Sequence, residues 1–173
     1  MKIFAPGISR AAAVAALALG CVAVPAAGAT DLLAQARQLA APAKAYPELA
    51  QISTQVDMMI ARMQSNTDKL RDYRKARIRG SDRRYAGLTR EFNQARSRLS
   101  EIERKLGKAP SLDLSRFPMP PGYDRGSSSS DVRERALAGE VRKYDKAKTS
   151  LAQALKAISD HYDQQLREIA KVR

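Results

Sequence analysis

With one histidine and one cysteine, the chain offers few residue types that do covalent or metal chemistry. The histidine, His161, stands among Asp160, Tyr162 and Asp163. An imidazole with carboxylates can serve as a general base or a zinc ligand, but both roles need partners that face it across a cleft. Here the acids merely flank it in sequence. His161 also neighbours Tyr162, which belongs to an apolar helix seam, so it is expected on the exposed edge of that helix without a catalytic role. Met58, Met59 and Met63 form a second candidate set, for a soft metal. Met59 and Met63 already fall at seam positions, which makes core packing the better reading. No Gly-rich phosphate loop, nucleophile elbow or spaced carboxylate pair occurs. The expectation is a protein that is not an enzyme and takes no cofactor or metal.

Two other stretches have chemistry suited to binding. KLRDYRKARIRGSDRR, residues 69–84, holds eight bases, Lys69, Arg71, Arg74, Lys75, Arg77, Arg79, Arg83 and Arg84, against Asp72 and Asp82. A solvated helix face usually mixes its signs. A run dominated by one sign points to an anionic partner: phosphorylated glycolipid, anionic lipid headgroups or an acidic protein. RFPMPPG and the tyrosine after it supply Phe117, Pro118, Pro120, Pro121 and Tyr123, a segment that can be a polyproline ligand for a partner groove. The plainer reading is a spacer, with Leu112, Leu114 and Phe117 lying back on the end of the fold.

The N-terminus sets the address. Lys2 and Arg10 precede an uncharged run, residues 11–29, that ends in the small-residue site Ala27-Gly28-Ala29. This is the pattern of a secretory signal, with cleavage expected after Ala29. Lipidation at Cys21 is the secondary reading, since Gly20 fits it but Ala18 and Leu19 stand in the wrong order. Cleavage would remove the only cysteine, and with it disulfide and thiolate chemistry. The product is expected in the periplasm or secreted. The whole chain has 31 Lys and Arg against 18 Asp and Glu, a formal charge of +13, and cleavage removes two bases and no acid. Nucleic acid would suit that charge but lies in the wrong compartment.

These residues must be positioned by helices. There is no tryptophan, and runs of Ala, Leu, Gln, Lys and Arg dominate. After the signal, residues 30–47 read as a short helix and linker, a loosely docked arm, stopped by Pro42. In residues 48–107, Leu49, Ile52, Val56, Met59, Met63, Leu70 and Tyr73 repeat at spacings of three and four, interrupted by Asn66. Tyr85, Leu88, Phe92, Ala95, Leu99, Ile102 and Leu106 repeat them again with a slipped register. The slip near Gly80 allows a turn capped by Ser81 or one continuous, kinked helix. The continuous form is preferred because no proline marks a stop. Residues 108–130 are a Pro/Gly/Ser-rich loop. Residues 131–173 read as one long helix, with Asp131 and Glu134 as a capping box and a seam from Leu137 through Tyr144, Leu151, Ile158 and Tyr162 to Val172, interrupted at Lys148 and Gln165.

Narrow apolar stripes on every long helix imply an all-α fold: an elongated antiparallel coiled-coil hairpin or three-helix bundle, with a spare seam that could support a homodimer. In size, charge, export signal and paired long helices the sequence is similar to small periplasmic helical chaperones. Leu88-Thr89-Arg90-Glu91-Phe92 resembles the leucine-threonine motif of that stress-chaperone group, departing from it where proline and glutamine would stand. The leading expectation is therefore an ATP-independent chaperone-like protein that holds envelope clients. The rival is a coiled-coil scaffold or adaptor of an envelope or secretion assembly. A chaperone leaves an apolar groove open to solvent; an adaptor closes its seams and docks by one end.

Overall fold

The computed structural model describes residues 29–121 and 130–172, and the described part is all-α, without a strand. The expected signal segment and Cys21 lie outside it, as does Tyr123. The helices are α1 (Ala29–Ala40), α2 (Pro47–Lys75), α3 (Arg83–Gly107), α4 (Ser130–Ala136) and α5 (Ala138–Ala170), with single 3-10 turns at Ala41–Ala45 and Leu114–Arg116.

Cross-helix pairs fix the directions. Lys69 meets Glu91 at 2.8 Å and Tyr73 stacks edge-on with Tyr85, so α2 and α3 are antiparallel. Phe92, early in α3, pairs its ring with Tyr162, late in α5, at 5.3 Å, while Leu106 and Gly107 at the end of α3 share a groove with Asp145 and Lys148 near the start of α5, which sets α5 antiparallel to α3. Tyr46 against Tyr144 at one end and Arg74 against Glu168 at the other then place α2 and α5 side by side in the same direction. Helix α1 doubles back on α2, where Ser53 Oγ donates to the Ala40 carbonyl at 3.2 Å, and it also packs on α5.

That packing corrects the docked-arm expectation. Leu33, Ala36, Ala40 and Ala43 are buried parts of the common core, so α1 and its 3-10 turn are integral to the fold. The reason is geometric. Alanines let one helix approach another closely, and a twelve-residue helix would be marginal unless such packing held it. The extra contact also explains buried lines that the single seam omits. Ser53 and Ile60 on α2, and Ala147, Ala154 and His161 on α5, recur seven residues apart and are buried beside the seam residues. Helices packed on several neighbours need a wider buried face than a two-helix seam provides.

The continuous-helix preference for residues 48–107 is also overturned. Helix α2 stops at Lys75, where Arg77 N–H bonds to the Arg74 carbonyl and Ile78 N–H to the Tyr73 carbonyl, both at 3.0 Å. This is a Schellman stop, and the left-handed position it requires is filled by Arg77, with φ 51°. Tyr73 and Ile78, both packed against the core, supply its apolar contact. The stop therefore lies before Gly80. Asp82, not Ser81, caps α3, its Oδ1 accepting from Arg84 N–H at 2.8 Å. The C-terminal helix is likewise divided, at Leu137, and its first part begins at Ser130.

Candidate functional site

The turn between α2 and α3 brings the basic stretch to one end of the fold, beside the C-terminus of α5. The eight bases divide into two groups. Lys69 is held by Glu91 across the α2–α3 contact, Arg71 by Asp68 on its own helix at 2.8 Å, Arg74 by Glu168 of α5 at 3.2 Å, and Arg84 lies 4.0 Å from the cap Asp82. Lys75, Arg77, Arg79 and Arg83 are exposed and form no ion pair among the described residues. On one continuous helix the eight bases would spread around the circumference. The turn instead gathers the four free cations at the tip.

Two of these placements run against local stability. A side chain other than glycine in the left-handed region costs roughly 1 kcal/mol, so Arg77 occupies the position where glycine is preferred. Arg83 and Arg84 open α3, whose first turn holds no acid, although the partial positive charge of a helix N-terminus disfavours cations there. By contrast, Arg74 and Lys75 in the last turn of α2, and Arg167 in that of α5, have a stabilising explanation: they offset the negative ends of two helices. Arg167 and Lys171 bring further bases to this end, which the sequence reading missed because they lie ninety residues from the cluster. Lys171 bonds Glu168 at 2.8 Å; that bond, the lysine charge and Arg74 hold the Glu168 carboxyl below its ordinary range.

The proline segment sits at the opposite end and is tied down. Leu112 is buried, and Leu114 and Phe117 pack against the core. Arg133 donates to the carbonyls of Leu114, Ser115 and Phe117 at 2.9, 3.2 and 3.0 Å. Glu48 accepts from Asp113 N–H at 3.0 Å and pairs with Arg116, while Tyr144 O–H bonds the Pro110 carbonyl at 2.5 Å. Burial pushes the Glu48 carboxyl up, but those bonds and the Arg116 charge together bring it below its usual value. Pro118 and Pro121 are exposed and Pro120 is half-buried. The aromatic anchor a polyproline ligand would present, Phe117, is thus already engaged within the chain.

His161 departs from its expected exposed edge. It is 3% exposed, with Nε2 lying 3.3 Å from Thr67 Oγ1, and burial lowers its pKa, favouring the neutral ring. The sequence signal for burial was present, since His161 follows Ala154 by seven residues, but it becomes legible only once α1 is known to widen the core. Met59 and Met63 are buried and Met58 is 59% exposed. Among the described residues no group of three or more His, Cys, Asp or Glu could hold a metal ion, and no helix is long and apolar enough to cross a membrane.

No family model, curated protein or solved structure matches the chain.

Proposed function

We propose that the chain is an exported, ATP-independent binding protein that docks an anionic partner through the α2–α3 tip. The observation that carries this reading is the set Lys75, Arg77, Arg79 and Arg83, exposed and without an ion pair among the described residues, with Arg77 kept where glycine would be more stable. A local rule broken without a stabilising return is the expected mark of a functional position. The N-terminal pattern supports export to the periplasm or beyond.

Of the two forms such binding can take, the burial of the apolar seams favours the adaptor: an elongated helical body in an envelope assembly, with a defined partner at its tip. Among large apolar side chains of the described residues only Met58 and Val172 are exposed. The chaperone form keeps one observation in its favour, an open groove of about 620 Å³ between α3 and α5 with Leu106 and Leu155 in its lining.

Two experiments test the reading. Reversing Arg77, Arg79 and Arg83 to Glu weakens binding to immobilised acidic envelope proteins or anionic glycolipid and flattens its salt dependence. Binding indifferent to that triple change removes the tip from the function. Suppressed aggregation of several unrelated denatured clients selects the chaperone form; capture of one partner selects the adaptor.

A further inference from the structure

We propose that the shallow groove between α2 and α3 is a docking site for an acidic amphipathic helix of a partner protein, a contact apart from the tip and additional to the binding proposed there. The groove, about 300 Å³, has Met59 and Ile102 at its base and Met58, the most exposed large apolar side chain among the described residues, at its edge. Arg62 lines it from α2 and Arg98 from α3, and neither forms an ion pair among the described residues. The acid in its lining, Glu101, is occupied by Lys105 at 3.1 Å. An apolar strip flanked by two uncommitted guanidiniums complements a helix with an apolar stripe and acids on either side.

The dimensions fit a helix. Met58 to Arg62 and Arg98 to Lys105 each cover one to two turns, up to about 10 Å, which matches anchors spaced i, i+3 or i+4, and i+7 on a partner. The fold also contains an example of this geometry, since α1 packs on both α2 and α5. Methionine at the contact tolerates variation in the partner's apolar residues. A second copy of the chain is a poor occupant because its formal charge is +13. A single acyl chain would leave most of its length in water on so short and open a strip.

The test uses the purified full chain and a labelled acidic peptide of about fifteen residues, patterned as an amphipathic helix, with a same-composition scrambled peptide as control. Met58→Glu and the pair Arg62→Gln with Arg98→Gln each weaken peptide binding about tenfold, while Lys156→Gln, exposed on α5 away from groove and tip, leaves it within a factor of two. Circular dichroism checks that each variant folds; Met58, Arg62 and Arg98 lie at the surface edge of the groove, and the two glutamine changes need no new packing. Equal binding of the scrambled peptide overturns the inference, as does loss confined to the tip variant Arg77→Glu with Arg79→Glu, which leaves the proposed function standing. Displacement of the peptide by phosphatidylglycerol vesicles in a Met58-dependent manner assigns the groove to lipid instead. Self-association abolished by Met58→Glu assigns it to a second copy. Absence of any peptide binding overturns the groove, and the tip variants against acidic envelope proteins then judge the proposed function separately.

Discussion

The two ends of the fold treat arginine in opposite ways. At one end Arg133 and Arg116 are consumed by the chain itself, bonded to three carbonyls of the 114–117 segment and to Glu48. At the other, Arg77, Arg79 and Arg83 stand exposed without an ion pair among the described residues. The same residue type fastens a loop in one place and is left available in the other. What separates the two uses is geometry: a planar fork among fixed carbonyls is a structural tie, whereas an exposed guanidinium in a left-handed turn costs stability and forms no ion pair among the described residues.

The largest expected break in this contrast is at the tied end. Arg133→Ala removes donors from three carbonyls, and the 114–117 segment must find water in their place. Charge-assisted bonds of this kind contribute about 1.5–3 kcal/mol, so the urea midpoint falls by an amount equal to roughly 2 kcal/mol. Arg133→Lys recovers little, because a single ammonium cannot reach all three acceptors in one plane. Arg79→Ala at the tip, measured the same way, changes stability by less than about 0.5 kcal/mol. Equal effects at both ends would dissolve the distinction.

Next in size is the loss of partner affinity on reversing Arg77, Arg79 and Arg83. About 1.4 kcal/mol, or tenfold, is expected at low salt, with little difference at high salt, since exposed charges are screened there. Reversing Arg71 and Arg74, already paired with Asp68 and Glu168, changes binding less and stability more.

A smaller change sharpens the contrast most directly. Arg77→Gly relieves the strained position and raises stability by about 1 kcal/mol, seen as a higher urea midpoint, while weakening anion binding. Opposite signs on the two readouts identify a residue retained for something other than folding. If stability falls instead, the Arg77 side chain makes a structural contribution of its own.

Much of this was legible in the sequence, and the misses share a cause. The seam residues of all three long helices follow from a periodicity of three and four, and nearly all are buried; Tyr73 and Val141 are half-buried and Val172 exposed. The basic stretch was visible as composition. Its division into held and free cations was not, because the partner of Lys69 is twenty-two residues away and that of Arg74 ninety-four. The slipped register offers a turn at Gly80 only as the alternative to a continuous helix, yet the helix does stop, and it is Arg77 that takes the left-handed position, with Tyr73 and Ile78 packed on the core on either side of it. His161 and α1 were misjudged together. Without α1 packed on α5, a second buried line on that helix has no reason to exist.

The last prediction concerns pH and is the gentlest, a slope in stability instead of a step. His161 has a folded pKa below its ordinary 6.5, because burial disfavours the charged ring. Below that value the unfolded chain binds the proton more readily, so stability is fully present above pH 6.5 and declines as the pH falls toward the lowered folded value. Glu48, Glu168 and Asp113 also have lowered pKa values, and their contribution is lost only as the pH drops below their ordinary 4.5 and 3.8. The two losses begin at different pH, the first below 6.5 and the second below 4.5. His161→Gln, which keeps a polar group near Thr67, flattens the denaturation midpoint just below pH 6.5 and leaves the carboxylate loss intact. Hydrogen exchange gives the location: the α2–α5 contact around Thr67, nearer the basic tip, loses protection first, while the Glu48–Arg116 end holds until its carboxylate protonates. Loss of protection at both ends together would mean that they share one cooperative unit, and the contrast between them would then concern binding and not stability.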